Sequence, residues 1–425
     1  MRSGLPWARS VGPDWSSGKR HRRLKAPNFQ TELAYGAPNA YLGKRQTMRT
    51  SELADAKVLP FFATAAKGTE GALRDELNEA RFRKVKADRG GVHFEGPIGE
   101  GMRACLESRI AARVLCAVSE FDAADGQALY DGVRNIDWNE YIEPRNTLAV
   151  RASCKDSELT HTQFIAQRTK DAIVDQQRAR YGVRPNVDVE DADLGVFVHL
   201  VRNHVTLYVD LAGEALHRRG YRTRIEEAPL KENLAAAILR LSGWNRDVPL
   251  VDPMCGSGTF PIEAALWSRN VAPGIFRSKF SFERWVCHDA VRKRLWADLR
   301  DKAIAKQRTE GPFIAGSDIS PLDAAKTNAK AAGVPVRFSR GDVKDVEPTD
   351  PPGYIVTNPP YGERLTIGPG FYRDMGKAFM QLPGHTIIIL AGTPDIPRAI
   401  PLRPKKEHTV FNGPIECRLF TYEIE

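Results

Sequence analysis

Three segments carry residue types able to do chemistry. The first is Asp252-Pro253-Met254-Cys255-Gly256-Ser257-Gly258-Thr259, between an apolar run ending at Val251 and a helix-forming run from Phe260. Gly256 and Gly258 permit a sharp turn and a close approach of backbone to ligand. Amides at the start of the next helix can take a carboxylate or a phosphate. Alone, the segment reads equally as a tight strand-to-helix turn, and without G-x-x-x-x-G-K-[ST] a nucleotide phosphate loop is disfavoured. Cys255 has no nearby base and is expected as a packed thiol. The second segment set is a pair of acids at strand ends. Asp318 can accept from two ribose hydroxyls or act as a helix-capping acid. Asp342 can accept from an adenine amino group or serve as a turn acid. The third is Asn358-Pro359-Pro360-Tyr361. The Asn358 side-chain carbonyl and the Pro359 backbone carbonyl can together accept both hydrogens of an exocyclic amine. Pro359 and Pro360 make a rigid exit, and Tyr361 can stack on a flat base. The plain alternative is a Pro-rich turn, but the glycine turn preceding it in the right order favours amine chemistry.

These segments need a sheet whose strands end together. Val248 to Val251, Phe313 to Ser317, Val336 to Ser339 and Tyr354 to Thr357 predict strands that alternate with helices. That pattern gives a mostly parallel sheet covered on both faces. Pro229 suits a first helical position, with Leu230, Leu234, Ala237, Ile238 and Leu241 on one apolar face. Ser320 is expected to cap the helix after Asp318, with Pro321 next and Gly333 ending it. Asp318 lies much further from Asp252 than the ~20 residues of a simple βαβ unit, so Trp267 to Gly311 reads as an insertion. Ile387 to Leu390 and Cys417 to Tyr422 are late strands.

Upstream, Val58 to Ala65 predicts a strand and Gly68 to Ala80 a helix. Lys84 to Ala87 and Gly91 to Glu95 flank a hairpin turn at Arg89-Gly90-Gly91. Ile98 to Arg113 predicts a helix and Val114 to Phe121 a strand. The order β-α-β-β-α-β is ferredoxin-like. A second unit follows from Gly126 to Gly213. It holds a helix ending near Trp138, a strand from Thr147 to Ser153, and a helix opened by a Thr160/Gln163 capping box and stopped at Gly182. Val196 to Val201 and Val205 to Leu211 are its later strands. His93, His199 and His204 fall in strand patterns and are expected as satisfied packing residues. The connector from Leu216 to Arg224 carries Arg218, Arg219, Arg222 and Arg224. It reads as a solvated linker, or as phosphate-binding if the chain acts on RNA.

With 425 residues, 42% hydrophobic and 27% charged, composition excludes a wholly disordered or collagen-like chain. The longest strongly apolar run, Thr386 to Ala391, is far short of the ~20 residues that span a bilayer. No charged start precedes an apolar core, so neither membrane insertion nor secretion is expected. The six cysteines form no C-x-x-C pair, which suits reduced thiols and a cytoplasmic protein. Cys287-His288-Asp289 is contiguous and reads as helix surface, so no metal is expected. The net charge is +9, but residues 1–47 hold nine Lys/Arg against two acids, a net +7. This basic extension is expected to be disordered and can bind polyanions through counterion release. Ordered patterning begins only after Met48, an alternative start.

DPMCGSGT, Asp318, Asp342 and NPPYGERL together resemble the S-adenosylmethionine-dependent amino-group methyltransferases. FFATAAKGTE, RGGVHFEG, the Asp131 to Gly213 stretch, LHRRGYR and PLKENLAAAIL sharpen the likeness. They resemble the THUMP-containing 23S rRNA guanine-N2 methyltransferases of the RlmL type, over about Val58 to Glu425. The resemblance implies an α/β fold: residues 1–57 as an extension, 58–125 ferredoxin-like, 126–213 a THUMP RNA-binding domain, 214–228 a basic linker, and 229–425 a Rossmann-like class I methyltransferase domain. It implies S-adenosylmethionine as cofactor, held by Asp252, Pro253, Cys255, Gly256, Ser257, Gly258, Thr259, Asp318, Asp342 and Asn358. Asn358, Pro359, Pro360 and Tyr361 would serve the transfer to guanine N2, by direct displacement and without a dedicated base. RNA, as 23S rRNA or a pre-ribosomal particle, would be the partner. Some members carry a second, C-terminal methyltransferase domain, which is not expected in a chain stopping at Glu425. The rival readings are a THUMP tRNA methyltransferase of the same chemistry, a DNA-adenine or protein-glutamine methyltransferase sharing NPPY, and a non-catalytic RNA-binding or assembly protein.

Overall fold

The computed structural model describes residues 57–223, 230–360 and 370–425. Arg224, Pro229, Tyr361 and the basic extension lie outside them. Alternating burial builds a first sheet from eight strands. These are β1 (Leu59–Thr64), β2 (Arg83–Asp88), β3 (Gly91–Gly96), β4 (Arg113–Asp122), β5 (Thr147–Lys155), β6 (Asn186–Val187), β7 (Leu194–Val201) and β8 (His204–Asp210). In β1, Phe61 and Ala63 are buried while Phe62 and Thr64 are only half-buried, the period of two that a one-sided strand requires. Helices α1 (Glu70–Glu79), α2 (Ile98–Glu107), α3 (Gly126–Arg134) and α4 (Thr162–Tyr181) supply Leu73, Met102, Leu129 and Ile173 to the same core.

The strand order is β2-β3-β1-β4-β8-β7-β5-β6. The two units expected separately therefore share one sheet. Their joint is the antiparallel β4–β8 pairing, with Leu115 opposite Asp210 and Asp122 opposite His204. Two expectations fail here for local reasons. Helix α2 stops at Glu107, not Arg113, because the Glu76 carboxylate accepts from Ser108 Oγ (2.6 Å) and the Arg109 N–H (2.9 Å). Those bonds satisfy the chain outside the helix. Helix α4 starts at Thr162 behind His161, with no side-chain cap, so the Thr160 capping box is not formed. Gly182 does end it, at φ 73°.

The second sheet contains β9 (Leu250–Asp252), β10 (Ile314–Asp318), β11 (Arg337–Arg340), β12 (Tyr354–Thr357), β13 (Thr386–Ala391), β14 (Lys406–Asn412) and β15 (Ile415–Glu423). Its order is β11-β10-β9-β12-β13-β15-β14, parallel through β13, with β15 antiparallel to both neighbours. The helices of this half of the chain are α5 (Glu232–Leu241), α6 (Thr259–Ser268), α7 (Ala290–Ala305), α8 (Asp323–Ala331), α9 (Phe371–Phe379) and α10 (Asp395–Ala399). The chain winds from β9 to β11 on one side and returns to β12 and β13 on the other. That reversal opens a crevice at the carboxyl ends of β9 and β12, where doubly wound sheets bind ligands.

The insertion after α6 is a clamp. Its Phe280, Phe282, Trp285 and Trp296 join the core of the first sheet. Arg277, 7% exposed, donates to the carbonyls of Ala212, Glu214, Ala215 and Arg218. Arg284 forms an ion pair with Asp193 at 2.9 Å. Cys287-His288-Asp289 is not helix surface. His288 is buried against Phe282, and Asp289 caps α7 through the Arg292 N–H at 2.9 Å. Among the described residues no helix is long and apolar enough to cross a membrane.

Candidate active site

β9 delivers Asp252 to the crevice, 2% exposed, where its carboxylate accepts the Met254 N–H at 3.1 Å. Burial pushes this carboxyl up to about 7, because ionisation costs solvation that the interior does not return. Asp252 thus shapes the turn from beneath. Gly256 and Gly258 sit at φ 49° and 83°, a region open to glycine. A Cβ at Gly258 would come 3.1 Å from the Phe338 ring. Cys255 is buried against Gly316, whose Cβ, if it had one, would lie 2.9 Å from the sulfur. Ser257 and Thr259 are also buried, and the Ser257 carbonyl accepts from Asn328 at 3.3 Å. The loop ends on the first turn of α6, behind Gly258 and with no side-chain cap, so its first N–H groups lack intrahelical partners.

Asp318 ends β10, next to β9. One of its carboxylate oxygens accepts the Gly256 N–H at 2.9 Å and the other the Ser320 N–H at 2.9 Å. This carboxylate ties the glycine loop to the second strand and keeps further lone pairs for a ligand. The same bond to Ser320 corrects the capping expectation: α8 begins at Asp323 behind Leu322, with no side-chain cap. Next to Asp318, Ile319 is 63% exposed, an apolar surface that no sequence signal singled out. Asp342 follows β11 and accepts the Lys344 N–H at 3.0 Å, with Lys344 Nζ at 3.2 Å.

β12 pairs with β9, Ile355 opposite Val251, so Asn358 leaves the sheet beside the glycine loop. Its amide oxygen Oδ1 is buried and has no hydrogen-bond partner among the described residues. Pro359 is buried. Tyr372 on α9 donates its hydroxyl to the Pro360 carbonyl at 2.7 Å, a brace the sequence reading missed because nothing in a helical Phe-Tyr pair announces it.

The connector arginines separate. Arg218 is exposed and pairs with Glu214 at 2.7 Å. Contrary to expectation, Arg219 is buried and Arg222 is only slightly exposed. Arg219 is 1% exposed, bonded to the carbonyls of Leu216 and Arg109, with Glu263 3.5 Å away. Arg222 pairs with Glu232 at 2.9 Å and donates to Thr259 Oγ1 at 3.0 Å, under the start of α6. Arg109, Glu263 and Thr259 are distant in sequence, so a cation-rich run that reads as linker in fact supplies two internal struts. Burial among Lys231, Arg219 and Arg218 lowers His217 to about 4.

Residues 219–421 match the family described as "RMKL-like, methyltransferase domain", 123–210 the THUMP domain, and 60–115 the RlmL ferredoxin-like domain. A putative RNA methyltransferase of Synechocystis sp. is 38% identical, over 86% of this chain and 97% of its own length. The chain belongs to the RlmL-like, THUMP-containing methyltransferases. Within that family, the ribosomal RNA large subunit methyltransferase K/L of Methylococcus capsulatus is 42% identical over 86% of this chain. The chain spans about half the length of such K/L relatives, 51% in that case. Among solved structures, a putative methyltransferase complexed with SAH aligns with TM-score 0.76 and 30% identity, over 87% of this chain and 99% of its own. A possible methylase from Clostridium difficile aligns with TM-score 0.77 and 31% identity over the same shares.

Proposed function

We propose that the chain transfers the methyl group of S-adenosylmethionine to the exocyclic N2 amine of a guanine in structured RNA, with 23S rRNA as substrate. The observation that carries this reading is the buried, unpartnered Oδ1 of Asn358 beside the glycine loop. Leaving a buried acceptor unmade costs ~1–3 kcal/mol, and a primary amine brings the missing donor. The Pro359 carbonyl stands next in the chain to take its second hydrogen. The cofactor fits what the residues offer. The Gly256–Gly258 turn admits close approach, Asp318 retains lone pairs for ribose hydroxyls, Ile319 presents an apolar face for a base, and Asp342 keeps acceptor capacity for an amino group.

S-adenosylmethionine, when bound, supplies an electrophilic sulfonium methyl. The chain's part is positioning. Asn358 and Pro359 orient the target nitrogen and draw its protons toward oxygen, which restores electron density to a lone pair otherwise delocalised into the ring. Tyr372 holds Pro360 rigid, so the acceptors are preorganised. No side chain need act as base if the proton leaves after transfer. The rRNA assignment draws support from the relatives named for the large ribosomal subunit. The test is nucleoside mass analysis after incubation of the full chain with labelled cofactor and either 23S rRNA or tRNA. N2-methylguanosine in 23S rRNA is expected. N6-methyladenosine would overturn the guanine assignment, label in tRNA alone would overturn the rRNA assignment, and no label with either would favour a non-catalytic protein.

A further inference from the structure

Gly256 and Gly258 set the path of the cofactor loop, at φ 49° and 83°. Glycine loses more backbone freedom on ordering than any other residue, so a loop turning on two glycines keeps one shape only where its neighbours are held. Gly258 is flanked by Ser257 and Thr259, and both are held from the connector. Arg222 donates to Thr259 Oγ1 at 3.0 Å. The Thr223 N–H donates to Asn328 Oδ1 at 3.1 Å, and the Asn328 side-chain amide donates to the Ser257 carbonyl at 3.3 Å. Two successive connector residues thus grip the loop on either side of its glycine, one directly and one through α8.

The connector is itself fixed. Tyr221, 2% exposed, donates its hydroxyl to Glu263 of α6 at 2.9 Å. Gly220, at φ 106°, lies so close to the insertion that a Cβ would come 2.6 Å from the Phe276 carbonyl oxygen. Arg222 donates to the Leu230 carbonyl at 3.1 Å as well as pairing with Glu232. Stability alone does not select that arginine. Its guanidinium meets the first turns of α5 and α6, where both macrodipoles disfavour a cation. Replacing a buried ion pair by apolar side chains of similar volume is often neutral or stabilising. What an apolar pair lacks is a donor for Thr259 Oγ1.

We infer that Arg222 is a positioning residue for the cofactor: with Thr223 and Asn328 it holds Ser257 and Thr259, so that the Gly256–Gly258 turn is shaped to receive S-adenosylmethionine before it arrives. The inference rests on the reading of the crevice as the S-adenosylmethionine site and names what presets that site. Arg222, which reads from sequence as a phosphate ligand, serves the cofactor loop instead.

The test compares the full-length parent with R222M/E232M and Thr259→Val, reading melting temperature by thermal denaturation and S-adenosylmethionine affinity by calorimetry. R222M/E232M removes both charges together, so net charge is kept and stability stays near the parent value while the donor to Thr259 is gone. Its cofactor affinity should nonetheless fall about 10-fold or more, the scale of a lost charge-assisted hydrogen bond. With RNA in excess, KM for S-adenosylmethionine should rise by the same factor while kcat stays within about 3-fold. A merely structural Arg222 predicts that affinity recovers along with stability, and that result would overturn the inference. Thr259→Val removes the acceptor at nearly constant shape. Because Arg222 acts through Thr259, adding T259V to R222M/E232M should weaken binding by no more than about 2-fold further; fully additive losses would overturn the inference. If R222M/E232M does not fold, Arg222→Lys carries the comparison. It keeps a charge beside Glu232 but has no fork to span Glu232 and Thr259 together, so weaker cofactor binding is expected and parent affinity would overturn the inference. A loss of RNA affinity with cofactor affinity unchanged would return Arg222 to the phosphate reading. Methyl transfer separates this from the wider reading. If the parent methylates RNA and R222M/E232M binds cofactor as tightly as the parent, the positioning role fails and the function stands. If the parent binds cofactor but methylates neither 23S rRNA nor tRNA, and R222M/E232M still binds cofactor more weakly, the function fails and the positioning role stands.

Discussion

Asp252 shows how a buried carboxyl shapes the site through its bond to the Met254 N–H. Its folded-state carboxyl is raised to about 7 by burial, above the ~3.9 of an unfolded chain. Between those values the native state keeps the proton and the unfolded chain does not. Stability from this group is therefore greatest below about pH 4 and is lost as pH climbs to about 7. Asp252→Asn should raise the melting temperature of the cofactor-free chain, and raise it more at pH 8 than at pH 5. An equal gain at both would mean the carboxyl is not held protonated. Asp318 is different, because its oxygens already hold the Gly256 and Ser320 amides. Asp318→Asn removes the charge and, because its amide NH2 cannot accept, one of those two backbone bonds as well. Charge-assisted hydrogen bonds are worth ~1.5–3 kcal/mol, so S-adenosylmethionine should bind roughly 10- to 100-fold more weakly by calorimetry. Unchanged affinity would confine Asp318 to the loop tie.

At the scale of elements, the glycine loop is held from below by a strut the sequence disguises. Arg222 meets Glu232 at the start of α5 and Thr259 at the start of α6. Burial raises the Glu232 carboxyl even beside that guanidinium. Arg222→Met should cost about 3 kcal/mol in denaturant unfolding, because it strands a buried carboxylate, whereas R222M/E232M should recover most of the loss. If the double variant is no better than the single one, the pair is not the source of the cost. The strands that end at Asp252, Asp318 and Thr357 were legible because apolar runs punctuated by Gly, Asp and Pro signal strand exits locally. Helix boundaries were less so, since Asp318 claims the Ser320 amide before α8 and Glu76 claims Ser108 after α2 through contacts that spacing does not encode. Arg219 and Arg222 were misread because Arg109, Glu263 and Thr259, which bury them, lie tens of residues away. His199, expected in the core, is exposed and bonded to Ser153 at 2.8 Å; it was misread because alternation marks two faces and only packed helices decide which is covered. β14 (Lys406–Asn412) is an edge strand with a single fully buried side chain, Val410, so it left no apolar signal.

Across the whole molecule, a sheet built by the ferredoxin-like and THUMP segments is locked to a methyltransferase sheet by the insertion. Arg277 donates to the carbonyls of Ala212, Glu214, Ala215 and Arg218, which ties the insertion to the chain as it leaves the first sheet. Substrate binding is expected to belong to this described body. A chain starting at Met48 should keep most of its specific RNA affinity and lose a salt-sensitive, non-specific part, seen as a shallower slope of log affinity against log salt. Loss of the rRNA preference on truncation would assign specificity to the extension instead. The central claim is that an amine nitrogen is held by the unpartnered acceptor at Asn358. Single-turnover transfer of labelled methyl to 23S rRNA, with cofactor saturating, tests it in the parent and in Asn358→Ala. A slowing of ~100-fold or more with cofactor affinity and melting temperature retained is the predicted result, the scale of losing one positioned hydrogen-bonding group from a transition state. A near-parent rate would show that Asn-Pro-Pro-Tyr is a rigid turn and that the amine is held elsewhere.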